Sequence, residues 1–338
     1  MASVKVAVVI LGWNGKTYLE KFLGNVVRFS ESENVKVVYA DNASTDDSVA
    51  YVKQHFPTVE VVQNSTNSGF AGGYNEALAN VSADYFILLN QDVEVTESWV
   101  IPLLDFLENN KDYAVVQPKL RAYHNQDEFE YAGAAGGYID YLGYAFCRGR
   151  LFDSMEKDEA QYDTVVPIFW ASGAAMMIRA DLYHSLGGLD VDFFAHQEEI
   201  DLCWRVQNAG YKVGYVPQSV VYHVGGGSLP QGNPRKTYLN FRNNLFLLLK
   251  NLPVRKLWWV LPFRLKLDGL AIMYSVVKNK NFIDAIAIIK AHFHFIKGFG
   301  KMYSKRKKSI STMPSTIYQK SIIWQYFAKG KKRYSDLI

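Results

Sequence analysis

The chain has 338 residues and a mass of 38.4 kDa, and its 49% apolar content excludes a disordered polypeptide and supports one large core or two smaller ones. Its two cysteines, Cys147 and Cys203, disfavour a disulfide framework and fit a reducing compartment. The net charge of +4 is unevenly divided along the chain. Residues 241–338 carry 20 Lys and Arg and three acids, whereas residues 1–240 carry 17 Lys and Arg and 30 acids. Two parts with different tasks are therefore expected.

The first 120 residues alternate between short apolar runs and segments of helical periodicity. The apolar runs predict strands at 4–11, 35–40, 59–63, 85–90 and 114–117. The periodic segments predict helices at 17–30, 44–55, 72–80 and 99–109. Ser44 and Asp47 have the spacing of a capping box at the second of these helices. The alternation predicts a parallel sheet with right-handed crossovers, and the chain enters its first strand without the pattern of a secretory signal.

The second half of the chain is less regular before it turns helical. Residues 118–168 are rich in Gly and Tyr and then acidic, which predicts loops and a hairpin over the sheet edge, mobile in part. A helix is expected at 197–209 and strands at 211–217 and 220–224. We therefore divide the chain into a domain at 1–240, with halves at about 1–117 and about 118–240, and a basic helical extension at 241–338.

The end of the fourth predicted strand carries the first candidate site. Asn90-Gln91-Asp92 lies at the carboxyl end of that strand, the edge at which open α/β sheets bind ligands. Side chains alternate along extended backbone, so Asn90 and Asp92 share one side and suit Mg²⁺ or Mn²⁺, whose remaining ligands would be phosphates and water. His223, at the end of a later strand, is a candidate nitrogen ligand or an ordinary structural histidine.

Three further motifs carry candidate polar groups. Asp41 ends the second predicted strand, where an acid can accept hydrogen bonds from a ribose or a base. The Gly-rich segment 67–75 opens a helix, which suits either close approach to an anion or a simple turn. Glu198 and Glu199 begin another helix, where their repulsion would favour a general base, although the helix dipole alone also explains acids in a first turn.

Taken in order, the motifs resemble those of the inverting family 2 glycosyltransferases of the GT-A fold. The resemblance spans about residues 4–250 and is nearest to the rhamnosyltransferase-like branch of bacterial surface polysaccharide assembly. The segments that carry it are 10–14 (ILGWN), 41–46 (DNASTD), 67–75 (NSGFAGGYN), 90–92 (NQD), 172–179 (SGAAMMIR), 187–190 (GGLD), 198–205 (EEIDLCWR), 216–217 (VP) leading to His223, and 238–244 (YLNFRNN).

This resemblance implies an α/β fold of GT-A type, with a mostly parallel nucleotide-binding sheet flanked by helices. It also implies that about 1–117 form the nucleotide-sugar half of the domain and about 118–240 the acceptor half. It implies a UDP- or dTDP-linked donor, with rhamnose as one candidate sugar, and a glycan or lipid-linked glycan acceptor. The implied roles are base for Glu199 with support from Glu198, metal ligands for Asp92 and His223, acceptor-side contacts for Trp170 and Gly173, and nucleotide-sugar contacts for Gly12, Trp13, Asn14, Asp41, Asn67, Gly72 and Gln91.

The sequence departs from that family's pattern in two places. Asn90 stands where the family often has an acid, which would weaken the affinity for a metal. Glu198-Glu199 replaces the usual Glu-Asp pair, so the base is one methylene longer. These departures keep open a catalytically inactive scaffold that binds sugar nucleotides. A nucleotidyltransferase, which would release pyrophosphate, is a further alternative to a glycosyltransferase.

The extension at 241–338 interleaves Trp, Phe and Leu with Lys and Arg, and it has no uncharged apolar run of the roughly 18 residues needed to span a bilayer. Its basic cluster Lys305–Lys308 suits an anionic membrane surface, so we expect a cytoplasmic protein bound peripherally to the inner face of a bacterial plasma membrane. A helical subdomain with a solvated basic face is the alternative. Nucleic acid is not expected as a partner, because the acidic part of the chain would repel it, and no pattern indicates an oligomeric state.

Overall fold

The computed structural model describes residues 4–225, 232–278, 280–306 and 312–338. Its strands are β1 Val6–Gly12, β2 Val35–Asp41, β3 Glu60–Gln63, β4 Tyr85–Asn90, β5 Val93–Val95, β6 Tyr113–Ala122, β7 Gly137–Ile139, β8 Ala145–Cys147, β9 Arg150–Leu151, β10 Ser154–Met155, β11 Val166–Ile168, β12 Ala175–Arg179 and β13 Lys212–His223. Its α-helices are α1 Lys16–Tyr18, α2 Gly24–Ser30, α3 Ser48–His55, α4 Gly69–Leu78, α5 Val100–Asn109, α6 Ala180–Ser185, α7 Glu198–Asn208, α8 Pro234–Asn251, α9 Val254–Val277 and α10 Phe282–Ser304. A π-helical segment, Leu19–Leu23, joins α1 to α2, and a second is Trp324–Ala328. Short 3-10 helices are Val191–Phe193 and Tyr334–Leu337.

The main sheet has the order β11-β13-β6-β12-β4-β1-β2-β3, with β5 paired to β13. The first four long strands pair in parallel, as the strand–helix alternation predicts. The sheet becomes mixed beyond them, because β12 inserts antiparallel between β4 and β6. The α/β class is therefore confirmed, while the parallel arrangement holds mainly for the nucleotide half.

The main sheet has an apolar cluster on each face, because its buried strands alternate the direction of their side chains. Val8 and Ile10 of β1 belong to the cluster that contains Leu103 of α5. Val9 lies on the opposite face, in the cluster that contains Tyr74 of α4. Helices therefore pack against both faces of the sheet, and the polar residues of the site begin where the strands end.

Two local predictions are wrong and a third is incomplete. At 118–168, where loops and a hairpin are expected, antiparallel strands form a second sheet, β10-β9-β8-β7, and β6 is longer than predicted. The strands expected at 211–217 and 220–224 are one strand, β13, with a register shift between Val216 and Val220. The Ser44–Asp47 capping box does not form, because α3 begins at Ser48 and the Ser44 hydroxyl instead accepts the Asn14 backbone N–H at 3.0 Å.

The C-terminal helices pack onto the sheet domain. Leu245 and Leu248 of α8 are fully buried in the same apolar cluster as Met176 of β12. Helix α10 packs along α8, and α9 contacts both. Within the part of the chain that the structure describes, none of the helices combines the length and apolarity needed to cross a bilayer.

Candidate active site

The candidate site begins at the carboxyl ends of three neighbouring parallel strands. Gly12 of β1 is in register with Asp41 of β2, and Leu11 is in register with Asn90 of β4. The backbone N–H of Asn90 donates to the carbonyl of Ala174 at 2.9 Å, which ties the segment before β12 to the same edge. The sheet therefore brings three of the sequence motifs together.

The loop after β1 closes tightly over the end of β4. A Cβ atom on Gly15 would lie 1.9 Å from Oε1 of Gln91, and one on Gly12 would lie 2.9 Å from it. Only glycine leaves room for the Gln91 amide at these two positions. Gln91 Oε1 is buried without a hydrogen-bond partner among the described residues, which is consistent with a polar group that awaits a ligand.

Asp41 lies where the loop after β1 contacts the loop after β2. Its carboxylate is 2% exposed and accepts the Ser44 backbone N–H at 3.2 and 3.3 Å. Asn14, with φ of 49°, accepts the Thr45 N–H at 2.7 Å, and Trp13 beside it is 51% exposed. A planar, solvent-facing indole next to a buried acid is a suitable platform for a nucleobase.

The Gly-rich segment is arranged differently from the expected anion cradle. Helix α4 begins at Gly69, whose N–H donates to Asn67 Oδ1 at 3.0 Å. The Phe70 and Ala71 amides both donate to the carbonyl of Phe194. These three amides are therefore occupied by protein acceptors, and the expectation that they meet an anion is wrong. Gly72 is buried against Ser68, and its contact with a donor stays a prediction, as does that of Asn67.

Asp92 and His223 form the polar pair that the sequence predicts at this edge. The distance from His223 Nε2 to Asp92 Oδ1 is 3.3 Å, and both side chains are buried. Strand pairing fixes the contact, because β5 follows Asp92 directly and its Val93 is in register with His223 on β13. Asn90 Nδ2 lies 3.4 Å from the same ring nitrogen, so Asn90 adds a polar neighbour and no charge.

Glu130 is the member of this cluster that the sequence analysis missed. Its Oε1 lies 3.2 Å from His223 Nδ1, on the side of the ring away from Asp92, and it is 4% exposed. Burial by itself lowers the pKa of His223, but the charges of Glu130 and Asp92 outweigh it and raise that pKa to about 10. Glu130 sits in an irregular segment with no motif around it, so only the fold reveals its place.

A divalent cation fits the spacing of the Asp92–His223 pair, and it would displace the proton that Glu130 and Asp92 stabilise on the imidazole, because only the neutral ring offers a nitrogen lone pair. Bond lengths of about 2.1 Å at angles near 90–110° separate two ligand atoms by roughly 3.0–3.4 Å, and the observed separation of 3.3 Å lies in that range. Across the described residues, no three His, Cys, Asp or Glu side chains converge on one metal position. The pair therefore suits an ion that takes its other ligands from phosphate and water.

Glu198 and Glu199 occupy the first turn of α7 in a water-poor environment. Burial, followed by the charge of Glu199, raises the pKa of Glu198 well above its ordinary range. Burial raises the pKa of Glu199 to about 7. One carboxylate oxygen of each is buried with no hydrogen-bond partner among the described residues. Glu198 is 4% exposed and Glu199 is half-buried, so Glu199 has the better access for a substrate.

Glu199 and Asn90, which lies two residues before Asp92, both contact the short turn before β12. A Cβ atom on Gly173 would lie 3.8 Å from the Cβ of Glu199, and the next residue, Ala174, accepts the Asn90 N–H. Trp170 is placed less favourably for an acceptor, because it is 4% exposed and its indole N–H donates to the Tyr138 carbonyl at 2.9 Å. Its role as an acceptor-side contact stays a prediction, and little of its side-chain surface is accessible to an acceptor.

The fold and this arrangement define a GT-A glycosyltransferase. The structure of GalNAc-T7 with UDP, GalNAc and Mn²⁺ superposes with a TM-score of 0.61 at 16% identity, over 88% of this chain and 57% of that one. S. aureus TarS in complex with UDP-GlcNAc superposes with a TM-score of 0.56 at 13% identity, over 89% of this chain and 84% of that one. At these identities the likeness concerns the fold.

The chain belongs to glycosyl transferase family 2, whose family model matches residues 7–183. It is 25% identical over 280 residues to the N-acetylglucosaminyl-diphospho-decaprenol L-rhamnosyltransferase of Mycobacterium tuberculosis, covering 78% of this chain and 89% of the relative. It is also 25% identical to the rhamnosyltransferase WbbL of Escherichia coli strain K12 over 227 residues, which are 64% of this chain and 83% of that one. The rhamnosyltransferase-like resemblance seen in the sequence is confirmed.

Proposed function

We propose that this glycosyltransferase moves a sugar, with L-rhamnose as the first candidate, from a UDP- or dTDP-linked donor to a hydroxyl of a glycan or lipid-linked glycan during surface polysaccharide synthesis. The anomeric carbon is inverted. The proposal is supported by the turn at Gly173 and Ala174, where Gly173 lies against Glu199 and Ala174 accepts the N–H of Asn90, two residues before the Asp92–His223 pair begins. The names of the two rhamnosyltransferase relatives support the sugar and the lipid-linked acceptor.

The donor half of the site binds the nucleotide and holds the diphosphate. Asp41 faces the nucleoside, with Trp13 and Asn14 beside it. Gln91 fills the space between the loop after β1 and the end of β4. Asp92 and His223 would hold Mn²⁺ or Mg²⁺, which when bound would offset the negative charge that develops on the leaving diphosphate. The relatives of known structure include one with Mn²⁺ and UDP, which supports such an ion here.

The acceptor half supplies the base. Glu199 removes the proton of the acceptor hydroxyl as its oxygen attacks the anomeric carbon from the face opposite the diphosphate. A carboxylate whose pKa is raised to about 7 is a stronger base than an ordinary glutamate and is still largely ionised slightly above neutral pH. Glu198, more deeply buried, keeps the surroundings of Glu199 fixed and does not itself reach the acceptor.

A thermal-shift panel of sugar nucleotides with and without MnCl₂ tests the donor half. We expect stabilisation by UDP- or dTDP-sugars that depends on Mn²⁺ and is lost in Asp92→Ala. Glu199→Gln should retain that stabilisation and lose transfer, since its amide keeps the shape of the carboxylate and cannot accept a proton. Donor binding that ignores both Mn²⁺ and Asp92→Ala would contradict the metal site. Near wild-type turnover by Glu199→Gln would contradict the base.

We also propose that residues 241–338 dock the transferase domain, residues 1–240, on an anionic membrane surface. Large apolar side chains of α9 and α10 point into solvent, and we call them the α9–α10 apolar face. On α10 they recur every three or four residues, as one stripe along the helix. The face comprises Trp258, Trp259, Phe263, Leu270, Met273, Val277, Phe282, Ile286, Ile289, Phe293 and Ile296.

The charges around this face favour a lipid surface over a second copy of the chain. Exposed basic residues flank it at Arg255, Lys266, Lys278, Lys290 and Lys297. The acids of the two helices are engaged within the protein, since Asp268 pairs with Arg264 and the Asp284 carboxylate accepts a hydrogen bond from Asn281, the N-cap residue of α10. A face that is apolar in its middle and basic at its margins matches an anionic bilayer, whereas two like-charged copies would repel.

The basic cluster at 305–308 has a smaller share in docking than the sequence predicts. Lys305 pairs with Asp190 and Asp192, and Arg306 donates to two backbone carbonyls at the end of α8. Both are therefore engaged within the protein. Lys307 and Lys308 lie outside the described residues.

Co-sedimentation with vesicles tests the membrane proposal. We expect the full chain to bind vesicles that contain phosphatidylglycerol and not pure phosphatidylcholine vesicles. Phe293→Glu on α10 should lose binding, whereas Ile101→Glu, at a comparably exposed position on α5, should retain it. If Phe293→Glu leaves vesicle binding unchanged, or if light scattering shows a dimer that the same substitution dissociates, the face does not serve the membrane.

A further inference from the structure

The loop that leads into the catalytic helix α7 has an unusual backbone. Phe194, His196 and Gln197 all have positive φ, at 66°, 69° and 71°, although none of them is a glycine. Non-glycine residues in this region are strained, and such a run persists only where the surroundings hold it. The loop ends directly at Glu198 and Glu199, so its shape sets where α7 begins.

Phe194 is the central residue of a classic γ-turn. Its φ and ψ are 66° and −59°, and the Ala195 N–H donates to the Phe193 carbonyl at 2.8 Å. This turn is rare and strained. It also docks on the donor half, because the Phe194 carbonyl accepts the Phe70 N–H at 2.9 Å and its ring would lie 2.7 Å from a Cβ on Gly69.

Helix α8 holds the opposite side of the loop through one amide. Asn243 Nδ2 lies 3.0 Å from the carbonyl of Phe193, 2.9 Å from that of Ala195 and 2.7 Å from that of His196. Asn243 is fully buried. Its two amide hydrogens therefore supply the partners of the Ala195 and His196 carbonyls, while the Phe193 carbonyl also accepts the Ala195 N–H and Arg242 Nη2.

Arg242 fixes which way that amide faces. Its Nε and Nη2 lie 2.9 and 2.7 Å from Asn243 Oδ1, and Nη2 also reaches the Phe193 carbonyl at 3.0 Å. A guanidinium group can only donate, so the Asn243 oxygen must face it and the NH₂ group must face the loop. The neighbouring Asn244 completes the contact by donating to Gln197 Oε1 at 3.1 Å.

We propose that Arg242 and Asn243 are positioning residues that hold the strained 193–197 loop and thereby set the place of Glu199 against the donor site. This role accounts for Arg242, Asn243 and Asn244 of the segment 238–244, which the catalytic chemistry leaves unused. The kinetic part of the inference rests on the proposed function. The structural part does not, because the shape of the loop can be measured without any substrate.

Two measurements on Asn243→Ala and Asn243→Asp test the proposal, with Asn240→Ala as the matched control. Among the described residues, the Asn240 side chain makes no hydrogen bond, although it lies on the same helix. Neither Asn243 variant can donate, so backbone amide exchange at 193–201 should accelerate about tenfold or more in both and remain unchanged in the control. We expect kcat to fall by about a hundredfold, as for a misplaced catalytic group, while protection by UDP or dTDP with MnCl₂ persists.

Arg242→Lys is the milder variant if the Asn243 variants do not fold. It keeps the charge and loses the fork that orients the amide, so we expect a smaller fall in kcat in the same direction. Wild-type amide exchange at 193–201 in these variants, or a kcat equal to that of Asn240→Ala, would overturn the proposal. If the wild-type chain transfers no sugar at all, the proposed function fails, and amide exchange alone still decides whether α8 holds the loop.

Discussion

The pH dependence of transfer depends on the burial of Glu199. Burial raises the pKa of this carboxyl to about 7, and a base works only in its ionised form. Activity should therefore be present above that pKa and lost as the pH falls through it. A glutamate with an ordinary pKa near about 4.3 would be ionised throughout this range and would give a flat profile.

The size of the effect follows from the fraction ionised. With a pKa of about 7, roughly one tenth of Glu199 is ionised at pH 6 and roughly nine tenths at pH 8, so kcat/KM should rise about tenfold between them. The neighbouring Cys203 thiol does not titrate there, since burial raises its pKa to about 12.

Initial rates of nucleoside diphosphate release from pH 5.5 to 8.5, at saturating MnCl₂, measure this profile. Glu199→Asp keeps a carboxylate and should retain a rising limb at a lower rate. Glu199→Gln should have no measurable limb because transfer is lost. A wild-type kcat/KM that is constant between pH 6 and 8 would refute the assignment of a buried Glu199 as the base.

Three further outcomes are expected. Lys250→Met leaves the fully buried Asp201 without its lysine and should lower the free energy of unfolding in urea by about 3 kcal/mol. Lys16→Met, which removes an exposed ion pair, should lower it by less than about 1 kcal/mol. Glu130→Gln should weaken Mn²⁺ binding about 10–100-fold in a titration followed by electron paramagnetic resonance, and unchanged affinity would contradict its contact with the imidazole. Glu198→Gln should raise the melting temperature more at pH 8 than at pH 5, because the raised pKa makes the ionised form unfavourable in the fold while the unfolded chain ionises above about pH 4.3. Equal effects at both pH values would contradict this.

The elements that carry strong periodicity could be predicted from the sequence. β4 has the predicted bounds, Tyr85–Asn90, because its apolar run ends in polar residues at the sheet edge. Helix α7 starts at Glu198, within one residue of the predicted start at 197. The meeting of Asp92 with His223 followed from placing both at strand ends, and the structure brings them to 3.3 Å.

Other features depend on long-range pairing that no local pattern shows. β12 resembles any short apolar segment, yet the sheet places it between β4 and β6 and so brings the Gly173 turn to the site. Glu130 and Asn243 are single polar residues in segments without a catalytic motif, and only their contacts reveal them. The Ser44 capping box failed because a tertiary contact with Asn14 took the hydroxyl that would have capped α3.

The products of a single incubation test the central claim most directly. The full chain is mixed with MnCl₂, UDP- or dTDP-linked sugars and N-acetylglucosaminyl-diphospho-polyprenol, and the released nucleotide and the lipid product are identified by mass spectrometry. We expect a nucleoside diphosphate together with a lipid that has gained one sugar of inverted anomeric configuration, and neither product in Glu199→Gln. Release of pyrophosphate, or retention of the donor's anomeric configuration, would contradict the account.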